Sequence, residues 1–188
     1  MATASIKQIE DLPIRKITIG EQISQSEAKE LARTFPKQLI NKNDGRVVVF
    51  PVATVGKIYS SKNNNAIKII KDIPYLYETS IYAWSEPETW FEGHKEHTNI
   101  KEYHYYLNKF NDGENDFYVR ITIPEEYPGK TGEARKVIHT ATVSEIAVYK
   151  KGDLSRQSPV IRRGASDKSP LIDRKLEEFL YSLNIIYN

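Results

Sequence analysis

Four side chains on two neighbouring segments could together hold a phosphodiester: His104, Arg120, Thr142 and Ser144. An imidazole moves protons near neutral pH, a guanidinium forks onto two phosphate oxygens, and hydroxyls donate to the oxygens that remain. Whether they meet depends on the elements that carry them. Lys101 to Phe110 and Asp116 to Ile123 are β-rich runs joined through Asn111-Asp112-Gly113, a pattern that reads as a hairpin. Because strand side chains alternate, Phe117, Val119, Ile121 and Ile123 are expected to face a core, with Tyr118, Arg120 and Thr122 on the other face. The segment Lys136 to Tyr149 reads as a further strand, in which Ile138, Thr140, Thr142 and Ser144 alternate with Val137, His139, Ala141 and Val143. The expectation is one polar sheet face on which His104, Arg120, Thr142 and Ser144 converge.

The totals narrow the chemistry. At 188 residues with 39% hydrophobic content, one domain with a single core is expected. Charged residues make up 28% of the chain and the formal net charge is +2, so charge alone does not mark a nucleic-acid binder. The absence of cysteine excludes disulfides, thiolate zinc sites and thiol nucleophiles. Met1 to Lys7 lacks a basic stretch followed by an apolar one, and no apolar run reaches membrane-spanning length. A soluble protein with no membrane contact is expected. Twelve tyrosines, among them Tyr75, Tyr77, Tyr82, Tyr103, Tyr105, Tyr106 and Tyr118, could stack on unpaired bases or simply serve as good strand residues with a polar tip.

Local patterns supply the framework. Residues 1–20 read as an extended lead-in or linker, and 21–188 as a single domain. Ser24-Gln-Ser-Glu27 fits a capping box, and Ala28, Leu31, Ala32 and Phe35 recur at helical spacing up to Pro36. Arg46 to Phe50 reads as a buried strand, with Thr54 to Ser60 extending the sheet or forming a loop that presents Lys57. Helical turns are expected through Ala66 to Ile70 and, opened by Pro74, through Tyr75 to Tyr77. Residues between Trp84 and Ile100 read as a polar loop or lid, and Ser169-Pro170 opens a C-terminal amphipathic helix. The fold class expected is α+β, with N-terminal helices packed on an antiparallel sheet. No phosphate loop, HExxH motif or EF-hand spacing occurs, and His94 and His97 lack a matching ligand cluster, so no metal or cofactor is expected.

The order of these pieces carries a resemblance. A helix, Asn43-Asp-Gly-Arg-Val-Val-Val-Phe50, Gly56-Lys57-Ile58, a helical hairpin, Asn99-Ile-Lys-Glu-Tyr-His-Tyr105, Phe117-Tyr-Val-Arg120 and His139-Thr-Ala-Thr-Val-Ser-Glu-Ile146 follow one another. Over Asp44 to Lys150 the chain resembles the barnase, EndoU, colicin and RelE-like nuclease class of toxins and of polyvalent phage or mobile-element proteins. The resemblance implies metal-independent RNA cleavage by 2′-hydroxyl transesterification in the bacterial cytoplasm, after delivery within a larger secreted or phage-borne protein. It also implies an acidic immunity or antitoxin partner over the Arg120 face. In such a mechanism His104 and His139 would transfer protons, Arg120 would clamp the phosphate, and Thr142 and Ser144 would hydrogen-bond it. Lys57, Tyr106 and Tyr118 would bind substrate. His139 also fits a structural imidazole beside Val137, Ala141 and Val143, and Arg120 a solvated strand residue. The competing classes are a non-catalytic module binding nucleic acid or protein, and, with less in its favour, an ADP-ribosyltransferase.

Overall fold

In the computed structural model the described residues are 8, 11–21, 23–60, 64–87, 100–126, 141–143 and 145–150. Ser24 opens helix α1 (Gln25–Arg33): its hydroxyl accepts from the Glu27 amide while the Glu27 carboxylate accepts from the Ser24 amide. Such a cap is worth about 1 kcal/mol because it satisfies orphan amide donors at the helix start. Ala28 and Ala32 are the buried face of α1. After the short strands β1 (Arg15–Lys16), β2 (Leu39–Ile40) and β3 (Val47–Val49) come α2 (Val52–Ser60) and α3 (Asn64–Lys68). A 3-10 turn (Ile70–Asp72) then leads into α4 (Ile73–Glu78), which carries proline in its first turn.

The main sheet is built on β4 (Ile81–Pro87), β5 (Ile100–Asn111), β6 (Asp116–Glu126) and β8 (Glu145–Lys150), all paired antiparallel. β1 adds to the same sheet by pairing parallel with Phe110–Asn111 of β5, so chain before residue 20 contributes to the fold. A second, smaller sheet runs β2-β3-β7, where β7 is Ala141–Thr142. The architecture is α+β, with helices and sheet sharing one core. Ala28, Val55, Ile67, Ile70 and Leu76 from the helical region pack with Tyr106, Phe110, Val119, Ile121, Ile123 and Val148 from the sheet. Each fully buried large apolar side chain contributes roughly 1.5–3 kcal/mol. The C-terminal amphipathic helix expected from Ser169 onward lies outside the described residues.

Three local expectations are corrected. Val52 to Ser60 forms a helix instead of extending the sheet, because Val52, Val55, Ile58 and Tyr59 recur at helical spacing and pack inward. Residues 81–87 form a strand, with a register shift between Tyr82 and Trp84, so the start of the expected loop is sheet; residues 88–99 lie outside the described residues. The segment read as one strand around residues 136–149 is two. β7 pairs with β3 and β8 pairs with β6, so the chain crosses from the small sheet to the large one near Val143. Val143 marks the crossing: its amide donates to the Val49 carbonyl, and its carbonyl accepts from the Thr54 hydroxyl at 2.6 Å.

Candidate functional site

The hairpin β5-β6 positions every candidate side chain that the structure describes in full on a strand. Its turn is set by Asp112, whose side chain accepts from the amides of Glu114 and Asn115, and by Gly113, whose φ of 110° suits only glycine. That turn fixes the register, pairing His104 with Ile123 and Leu107 with Arg120. Directly paired residues share a face, so two sets follow. His104, Tyr106, Asn108 and Phe110 lie with Phe117, Val119, Ile121 and Ile123 on the helix-covered face. Tyr103, Tyr105, Leu107 and Lys109 lie with Tyr118, Arg120, Thr122 and Pro124 on the opposite one.

His104 and Arg120 are thus placed on opposite faces, and the single phosphate-sized site expected to unite them is not formed. Arg120 is 3% exposed and its guanidinium stands 5.9 Å above the Tyr105 ring, which in turn stacks on Trp84 at 4.9 Å. Tyr118 is buried beside it. Tyr106 has no exposed surface; its hydroxyl donates to the Asp44 carboxylate at 2.5 Å, and its ring meets Tyr77 and Tyr82 edge-on, leaving no face for a base. Burial, with the Asp44 hydrogen bond second, pushes the Tyr106 phenol well above its ordinary value. Lys57 is exposed on helix α2, not on the hairpin. Thr142 belongs to β7 in the smaller sheet. His139 and Ser144 lie outside the described residues.

The structure assembles a different cluster around His104. Its imidazole is 5% exposed, with Nε2 at 2.7 Å from Glu125 Oε2 and 3.6 Å from Glu102 Oε1. Lys101 Nζ donates to the other Glu125 oxygen at 3.0 Å and lies 3.8 Å from Glu102. The hydrogen bond from His104, then that from Lys101, holds the Glu125 carboxyl below its usual range. Tyr82 packs its ring 5.9 Å from the imidazole, and Nδ1 is enclosed without a hydrogen-bond partner. Lys101 is about half exposed and both carboxylates are partly so, which puts this cluster at the open rim of the hairpin, away from the turn. Sequence reasoning passed over Lys101, Glu102 and Glu125, although the turn at Asp112-Gly113 already implied that Glu102 faces Glu125.

Chemically the cluster offers a proton-carrying imidazole, two carboxylates and one ammonium. The Nε2 proton can be shared with Glu125 or passed to an oxygen that approaches from the rim, and Glu102 can accept a proton. Among the described residues no helix is long and apolar enough to cross a membrane. No curated protein and no solved structure matches the chain. The model of the family described as large polyvalent protein-associated domain 3 matches residues 20–139. That stretch runs from before α1 through β6, contains His104, Glu102 and Glu125, and stops short of β7 and β8. With well over half of its residues matched, the chain belongs to the large polyvalent protein-associated domain 3 family.

Proposed function

We infer that this is a module of phage or mobile-element polyvalent proteins that cleaves RNA without a metal, by attack of the 2′-hydroxyl on the adjacent phosphate. The observation that carries the reading is the His104 imidazole, hydrogen-bonded at 2.7 Å to a carboxylate that also accepts from Lys101. Glu125 orients the ring so that Nε2 faces the rim. Glu102, 3.6 Å from the same nitrogen, is the carboxylate placed to take the 2′-hydroxyl proton. The imidazolium returns a proton to the leaving 5′-oxygen, and the Lys101 ammonium offsets charge on the phosphate oxygens. Arg120 has no part in this site, since it lies on the other face.

One observation favours a second reading. Arg120, Tyr106 and Tyr118 are all buried, so the residues first expected to grip RNA are not surface groups. A module that binds a nucleic acid or protein without turnover, in which His104-Glu125 is a structural clip, accommodates that burial. Total RNA incubated with the purified chain in excess EDTA separates the two. Fragments ending in 2′,3′-cyclic phosphate, lost by at least about tenfold in Glu102→Gln and Lys101→Ala while both variants stay folded, support cleavage at this site. RNA that stays intact at high protein concentration, with salt-sensitive retention of RNA on the protein, selects the binding module.

A further inference from the structure

Glu102 and Glu125 are directly paired across β5 and β6, on the same face and next to a buried imidazole. Like charges placed opposite one another on a sheet repel and need a cation between or beside them. In this fold the Lys101 ammonium supplies it, and His104 Nε2 stands beside both carboxylates. The three ligand atoms, one imidazole nitrogen and one oxygen from each carboxylate, all lie within 4.8 Å of one another. Donors held at about 2.0–2.1 Å around a tetrahedral zinc ion are themselves about 3.3 Å apart. The Nε2 distances of 2.7 Å to Glu125 and 3.6 Å to Glu102 bracket that spacing, so a small outward shift of Glu125 would admit a metal.

The burial of the ring fixes the direction of its nitrogens. His104 is almost wholly buried, yet it aims Nε2 out of the core toward the two carboxylates and leaves Nδ1 with no hydrogen-bond partner. A nitrogen ligand with two carboxylates suits borderline transition ions such as zinc. It does not suit magnesium or calcium, which take oxygen donors in larger number.

We propose that Glu102, His104 and Glu125 form a zinc-type divalent cation site, in which the metal replaces the proton shared by His104 and Glu125 and displaces Lys101 from Glu125. This assignment does not rest on the RNA-cleavage reading. Were both correct, zinc would inhibit cleavage by occupying the proton-transfer nitrogen.

The test is zinc titration of the full chain by calorimetry, with thermal unfolding of the same samples and no RNA present. One ion per chain is expected, with a rise in melting temperature that magnesium does not reproduce. Glu102→Gln should weaken binding by more than about 100-fold, since loss of even an outer partner of a metal ligand costs about 10- to 100-fold, and Lys101→Ala should tighten it by removing the competing cation. Circular dichroism of these variants, both at partly exposed positions, establishes that they fold; His104→Ala is left aside because it alters a buried residue. No zinc-dependent stabilisation, or binding unchanged in Glu102→Gln and Lys101→Ala, overturns the proposal; the latter result would place the ion elsewhere, for instance at His94 and His97.

Discussion

Glu125 is a small measure of how much this site is tuned by charge. Hydrogen bonds from His104 and Lys101 favour its ionised form, so its carboxyl titrates lower in the folded protein than the ordinary value of 4.5. The folded state then binds fewer protons than the unfolded chain at acid pH. The resulting stability is present above pH 4.5 and is lost as pH falls through the lower, folded-state value. Because the side chain is 39% exposed, solvent screens much of the effect. Urea unfolding followed from pH 6 to pH 3 should show a shallower acid-limb slope for Glu125→Gln than for the parent chain; identical slopes would mean that the His104 and Lys101 contacts do not persist in solution. This residue escaped sequence reading for a simple reason. Glu125 follows the apolar alternation of β6 by two positions and resembles a surface charge until the hairpin register sets it against Glu102.

At the scale of elements, the turn between β2 and β3 is tied to the end of α4 by one fully buried side chain, Asn41. Its Nδ2 donates to the Tyr77 carbonyl at 2.9 Å, the Ser80 carbonyl at 2.8 Å and the Ser80 hydroxyl at 3.0 Å, while Oδ1 accepts from the amides of Asn43 and Asp44. Asn41→Ala leaves several of these backbone groups buried without partners, and a loss of about 2–4 kcal/mol is expected from denaturant midpoints. A loss under about 1 kcal/mol would mean that water replaces the amide. Elements with local causes were legible: the capping box announced α1, and Asp112-Gly113 announced the hairpin and the apolar face of β6. Elements decided by distant partners were not. α2 is rich in β-branched residues and carries Gly56, so its composition argues for a strand while its spacing and burial make it a helix. β7 and β8 alternate as if continuous, and only pairing with two different sheets divides them. Tyr106 and Asn108 made the His104 face look polar, yet Asp44, the Leu76 carbonyl and the Thr79 hydroxyl satisfy them inside the core.

Over the whole molecule, the crossing near Val143 carries the chain from the small sheet to the large one, and the Thr54 hydroxyl binds α2 to the Val143 carbonyl. Helices, small sheet and large sheet should therefore unfold together. Far-ultraviolet circular dichroism, which follows the helices, and tryptophan fluorescence, to which Trp84 on the large sheet contributes, are expected to give coincident urea transitions. Two separated transitions would mean that one sheet can open while the other holds. β5 has a further role in how copies of this chain coexist. Along one side it is met by β4 over Glu102–Leu107 and then by β1 at Phe110–Asn111, end to end. The longest aromatic strand consequently offers almost no bare backbone to a neighbouring molecule, and Lys109 sits in the gap as a charged gatekeeper against strand-to-strand aggregation.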